Sequence, residues 1–122
     1  VNDSMGHAAG DTLLLQISER LQSCLAPDES VARLGGDEFV VAARCRDRRE
    51  ASALAERLIA SFNAPFSISS RTISIGAAIG ISQARPATLS AKLLIQQADT
   101  AMYQAKARRD VAYQFFCLPS HL

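Results

Sequence analysis

From Arg71 to Ser82 the chain alternates without a break. Ile73, Ile75, Ala77, Ile79 and Ile81 fall on one face, and Thr72, Ser74, Gly76, Ala78 and Gly80 on the other. A β-strand repeats every two residues, so this segment predicts one long strand with a branched apolar face and a face of small side chains. Small side chains let a helix approach closely, which places the strand in the interior of a sheet rather than at its edge. A strand of this kind needs other strands beside it and helices upon it, and the rest of the sequence has to supply both.

It does. Leu14, Ile17, Leu21 and Cys24 or Leu25 recur at three- and four-residue steps, predicting a helix from about Asp11 to Leu25 that Pro27 stops. Ser30 to Leu34 and Glu38 to Ala43 read as strands joined across Gly35-Gly36, because paired glycines tolerate the positive φ of a tight turn. A second helix begins near Asp47, which has capping-box spacing to Glu50. Its stripe is Ala51, Leu54, Ala55, Leu58, Ile59 and Phe62, and Asn63 with Pro65 ends it. A third helix spans about Ser90 to Arg108 with Leu94, Ala98, Ala101, Met102 and Ala105 inward, and Tyr113 to Phe116 forms a short aromatic strand. The order is helix, hairpin, helix, strand, helix, short strand. A further strand before Val1 is expected, giving a βαββαβ arrangement: an α+β fold with a central, mostly antiparallel sheet flanked by helices.

At 122 residues this is a single domain, and 48% hydrophobic with 20% charged residues is ordinary globular composition. Thirteen basic against 12 acidic side chains leave a net charge of +1, which offers no electrostatic footprint for a nucleic-acid backbone. Cys24, Cys45 and Cys117 lack CxxC or Cys/His ligand spacing and read as reduced, cytoplasmic thiols. No apolar run approaches the roughly 18 residues of a membrane span, so no direct membrane contact is expected, whereas a parent protein could be anchored through another segment.

Arg33-Leu34-Gly35-Gly36-Asp37-Glu38-Phe39-Val40 resembles the signature of the GGDEF family, whose members make cyclic di-GMP from two GTP molecules. The resemblance runs along most of the chain. Val1-Asn2-Asp3-Ser4-Met5-Gly6-His7 with Gly10-Asp11 is similar to the family's IND…GH..GD segment, and Ile73-Ser74-Ile75-Gly76 to its SIG strand. Ala98-Asp99-Thr100-Ala101-Met102-Tyr103-Gln104-Ala105-Lys106 is similar to its AD.AMY.AK helix. The resemblance implies a nucleotidyl-cyclase or polymerase-palm fold over residues 1–116, lacking its N-terminal strand, with 117–122 a tail or linker to a following domain.

It also implies a chemistry. Joining two GTP molecules requires the 3′-hydroxyl of one to attack the α-phosphate of the other, with Mg²⁺ (or Mn²⁺) neutralising charge. Gly35 and Gly36 let phosphate approach the backbone, and Asp37 matches the family's metal ligand. Glu38 is a second acidic group at the catalytic site. Adjacent strand residues face opposite ways, so Asp37 and Glu38 are not expected to chelate one ion alone. Asn2 and Asp11 match the base-reading pair, suited to the donors and acceptors of guanine. Asp11 is equally suited to capping the helix it begins. Lys106 matches a triphosphate-contacting lysine, against the plainer role of a dipole-favoured lysine at a helix end. His7 reads as a structural turn residue. Arg57 matches a product-contact position.

Three positions depart from the family pattern. Asp110 stands where a phosphate-binding arginine is common. Ala26-Pro27-Asp28-Glu29 stands where many relatives carry the inhibitory RxxD motif, so its arginine is absent. Tyr113-Gln114-Phe115-Phe116 resembles a junction into an EAL phosphodiesterase domain. The expected partners are GTP, cyclic di-GMP, a second copy in a transient homodimer, and attached sensor and EAL domains. Diguanylate cyclase activity is the leading reading. The alternative is a GTP-binding regulatory module, weak or inactive in synthesis, controlling an attached EAL phosphodiesterase.

Overall fold

A computed structural model describes residues 6–35, 38–84, 90–108 and 112–116, the side chains of residues 6–9 excepted. It divides into two compact units at Gly76 and Ala77.

The first unit contains α1 (Gly6–Ser23), β1 (Ser30–Gly35), β2 (Glu38–Ala42), α2 (Arg48–Ser61), β3 (Phe66–Ile68) and β4 (Arg71–Ile73). Helix α1 begins five residues ahead of the expected start, so Gly10 lies inside it at a propensity cost of about 1 kcal/mol. His7 is accordingly a helical residue and not a turn residue. The buried stripe of α1 is Leu13, Ile17 and Leu21, spaced by fours. Leu14, expected to lead it, is only half-buried. With Ala55 and Leu58 of α2 and with Phe66 and Ile68 of β3, these residues form the core. Phe66, 1% exposed, sits 5.8 Å from the Phe62 ring, tilted. Burying each of these large side chains stabilises the fold by about 1.5–3 kcal/mol.

The caps explain where α2 starts. Asp47, with extended backbone, accepts a hydrogen bond from the Glu50 amide at 3.0 Å. Glu50 reaches back one residue further than a capping box requires, accepting from the Arg46 amide and guanidinium, each at 2.7 Å. The hydrogen bond from the Arg46 side chain, then that from its backbone, hold the Glu50 carboxyl below its ordinary pKa.

At the other end of α2, Arg20 of α1 donates to the carbonyls of Ser61 (3.1 Å), Ala64 and Pro65 (3.0 Å). Its guanidinium carbon lies 3.6 Å from the centroid of the Phe66 ring. One arginine therefore satisfies the last carbonyl of α2, orders the lead into β3 and covers the central core aromatic. Gln16 adds a bond to the Ser67 carbonyl at 3.0 Å.

The single strand expected from Arg71 to Ser82 is two strands. β4 pairs antiparallel with β3 across Ser69 and Ser70, both at positive φ (49° and 67°), the geometry of a tight hairpin turn. Residues 74–78 belong to no described ladder, although their exposure still alternates through Ala77. Alternation reports which face is buried, and only a neighbouring strand's donors and acceptors make a ladder.

The second unit is a β–α–β unit: β5 (Ile79–Ile81), α3 (Ala91–Ala107) and β6 (Tyr113–Phe115). β5 and β6 run parallel, which requires a crossover, and α3 supplies it. Ser90 caps α3 by accepting from the Leu93 amide, and Ala101 and Ala105 are buried. The small face expected of this strand is real at Gly80, where an added Cβ would lie 1.8 Å from the Ala98 carbonyl oxygen and 2.4 Å from the Met102 nitrogen. The fold is α+β as expected. Among the described residues its strands form three two-stranded sheets, two antiparallel and one parallel, rather than one central sheet.

Candidate active site

The site begins at the tip of the β1–β2 hairpin. The ladder runs from Ser30 opposite Ala42 to Arg33 opposite Phe39, and then Gly35 opposes Glu38. Leu34 is thus an extra residue without an opposite number, a β-bulge, and it is largely exposed. Bulges bend and twist a hairpin locally and re-aim the side chains beyond them. Gly35 has φ 159°, and no heavy atom lies within 4 Å of where its Cβ would be. The space that its Cβ would occupy is therefore open among the described residues. The Glu38 carboxylate is exposed, with no hydrogen bond or ion pair to any described residue. Gly36 and Asp37, between these two, lie outside the described residues, as does Asn2.

Asp11 is placed differently from expectation. It lies in the second turn of α1, exposed, so it is past the positions where a carboxylate caps a helix. Its carboxylate makes no hydrogen bond or ion pair with any described residue. Lys106 belongs to the other unit, in the last turn of α3, where a cation is favoured by the helix dipole. It is exposed, and its Nζ lies 5.7 Å from the centroid of the Tyr103 ring.

Arg57 is engaged inside the first unit. Its Nε donates to the Cys24 carbonyl at 2.9 Å and its Nη2 to Glu29 Oε1 at 3.2 Å, while Glu29 also accepts from the Ala26 amide at 2.8 Å. The turn lacking the RxxD arginine is therefore tied to α2 by an arginine from elsewhere. Beside it, burial first, and then Glu50, Glu29 and Asp47, push the exposed Cys45 thiol up and disfavour its thiolate. That agrees with an idle thiol.

No group of three His, Cys, Asp or Glu side chains capable of holding a metal occurs among the described residues. A hard cation of the Mg²⁺ type does not need one. It binds through one or two carboxylates together with substrate phosphate and water oxygens. The exposed Glu38 beside an open glycine is a donor of that class. Among the described residues no helix is long and apolar enough to cross a membrane.

Arg20 carries no signal in the sequence, and Glu29 and Tyr103 stand in motif segments without a role of their own. Arg20 and Glu29 act on partners 28 to 45 residues away, a separation that no local pattern reports. Tyr103 precedes Lys106 by one helical turn, and that spacing was available.

The bulged β1–β2 hairpin and the mixed helix and strand elements agree with the fold expected from the signature. The profile of the family described as diguanylate cyclase, GGDEF domain, matches residues 1–111, and the chain belongs to that family. It is 39% identical over 116 residues to the bifunctional diguanylate cyclase/cyclic di-GMP phosphodiesterase MucR of Pseudomonas aeruginosa, covering 95% of this chain and 17% of MucR. It is 37% identical over 116 residues to the cyclic di-GMP phosphodiesterase NbdA of the same organism, covering 95% of this chain and 15% of NbdA. Among solved structures, the GGDEF domain of YfiN (TpbB) from Pseudomonas aeruginosa superposes with a TM-score of 0.85 at 38% identity, covering 97% of this chain and 74% of that one. The chain thus spans less than a fifth of the length of these two curated relatives.

Proposed function

We propose that this chain condenses two GTP molecules into cyclic di-GMP, releasing pyrophosphate at each of two steps. The observation that carries the reading is the hairpin tip. Gly35 has open space where a Cβ would lie, a bulge sits at Leu34, and Glu38 stands exposed immediately after Asp37 of the intact signature. In each step the 3′-oxygen attacks the α-phosphorus and the bond from that phosphorus to the pyrophosphate oxygen breaks. The hydroxyl proton leaves toward Asp37. Asp37 would hold the divalent ion together with phosphate and water oxygens, and the ion would offset triphosphate charge and acidify the hydroxyl, with Glu38 a second acidic group at the site. Lys106, at the position of the family's triphosphate-contacting lysine, supplies positive charge for the triphosphate. Asp11, free of any capping duty, accepts from guanine N1–H and the N2 amino group, and Asn2 completes the base contact. Each chain holds one GTP, so the product forms in a transient homodimer.

Asp37→Ala tests the reading. It is expected to abolish synthesis from GTP and Mg²⁺ while leaving the far-UV spectrum unchanged. Turnover above a small fraction of wild type excludes Asp37 from the chemistry.

A second reading is favoured by two observations: Asp110 in place of a phosphate-binding arginine, and the phosphodiesterase names of the similar MucR and NbdA. In it the chain binds GTP and controls an attached EAL phosphodiesterase without synthesis. GTP-dependent hydrolysis of cyclic di-GMP by the intact protein, with no synthesis, would decide for it.

A further inference from the structure

Tyr103 is a large aromatic residue left 59% exposed on α3, one turn before Lys106, whose ammonium lies 5.7 Å from the ring centroid. Lys106 itself is exposed and makes no ion pair with any described carboxylate. From this geometry we infer that Tyr103 positions the Lys106 ammonium for the β- and γ-phosphates of GTP. The inference rests on the proposed role of Lys106 and goes beyond it.

A lysine head on a four-carbon stem samples many rotamers, and ordering it on ligand binding weakens the complex. The face of an aromatic ring attracts an ammonium through its quadrupole without cancelling its charge. A carboxylate in the same place would compete directly with phosphate. A tyrosine therefore narrows the range of the ammonium and leaves its charge available to an anion. An exposed contact of this kind is worth a factor of about 2–5 in the equilibrium it biases. Tyr103 is a positioning residue in this scheme, since it acts only through Lys106.

The experiment measures affinity of the intact protein for GTP with an α,β-methylene bridge, which cannot react, and for GMP. The variants are Tyr103→Phe, Tyr103→Leu, Lys106→Met and the Tyr103→Leu/Lys106→Met pair. Tyr103→Phe keeps the ring and is expected to bind the triphosphate within about twofold of wild type. Tyr103→Leu is expected to weaken the triphosphate about 2–5-fold with GMP unchanged, and Lys106→Met to weaken it further. In the Lys106→Met background Tyr103→Leu is expected to have no effect. Four outcomes overturn the inference. Tyr103→Leu could bind as wild type while Lys106→Met binds weakly, which leaves the Lys106 role standing. Tyr103→Leu could weaken binding equally with and without Lys106. Tyr103→Phe could behave as Tyr103→Leu. An unchanged affinity in Lys106→Met removes the role of Lys106 itself, and the role of Tyr103 with it.

Discussion

Replacing Arg20 by methionine keeps an unbranched apolar stem of similar reach and removes the guanidinium. Three carbonyl acceptors, on Ser61, Ala64 and Pro65, lose their donor, and Phe66 loses the cation over its ring. A hydrogen bond from a charged donor contributes about 1.5–3 kcal/mol where water cannot replace it. The bonds to Ala64 and Pro65 are exposed, so those carbonyls regain solvent and only the part-buried bond to Ser61 counts nearly in full. Adding about 1 kcal/mol for the cation–π contact gives a loss of about 2–4 kcal/mol. With about 2.1 cal/mol/K of unfolding entropy per residue, a chain of 122 residues loses about 4 °C of Tm per kcal/mol. Thermal unfolding followed by circular dichroism is therefore expected to shift down by about 8–15 °C. Arg20→Lys keeps the charge but not the fork, and is expected to fall between wild type and Arg20→Met. A shift of less than about 4 °C for Arg20→Met would refute the view that this residue joins α1, the end of α2 and β3.

Other substitutions test other parts of the structure. Asp11→Ala is expected to erode the preference for GTP over ATP by roughly 1–3 kcal/mol, measured by calorimetry, while leaving Tm within about 2 °C of wild type. A lowered Tm with an unchanged nucleotide preference would return Asp11 to a structural role. Gly80→Ala puts a methyl group 1.8 Å from the Ala98 carbonyl oxygen and is expected to cost about 3 kcal/mol or more in a denaturant titration; a neutral result would show that α3 does not lie this close to β5. Ser70→Gly relieves φ 67° at a side-chain-bearing residue and is expected to raise stability by about 0.5–1 kcal/mol, and a loss would show that the Ser70 side chain holds the turn.

The sequence was most legible where the backbone signals its own ends. Asp47 with Glu50 and Ser90 each mark a helix start through a side chain that accepts a nearby amide, and both helices begin one residue later. Gly35-Gly36 likewise marked the hairpin. The α1 stripe was read one residue late because Leu13, Leu14 and Leu15 are consecutive and Ile17 and Leu21 fit either phase, at spacing four from Leu13 or three from Leu14. Only packing distinguishes them, and Leu13 is the buried one. β3 escaped because its three residues follow a proline and its turn is Ser-Ser, a pair without the usual preference for positive φ. The break in the 71–82 strand could not be read either. Pattern fixes which side faces inward, whereas ladder partners come from segments distant in sequence.

The same distinction separates the candidate residues. A charged side chain that builds the fold is recognised by its partners: Arg57 binds the Cys24 carbonyl and Glu29, and Arg20 binds three carbonyls. To serve a ligand, Arg57 would first have to give up bonds that hold the 24–29 turn against α2, so any affinity it conferred would be reduced by that loss. Asp11 and Glu38 carry charge on ordered elements without engaging a described partner. Their backbones are fixed by α1 and by the β1–β2 ladder, and among the described residues neither carboxylate has a contact to break. From sequence the arginine and the carboxylates were equivalent motif matches; in the folded chain Arg57 has partners to give up, whereas the two carboxylates have none among the described residues.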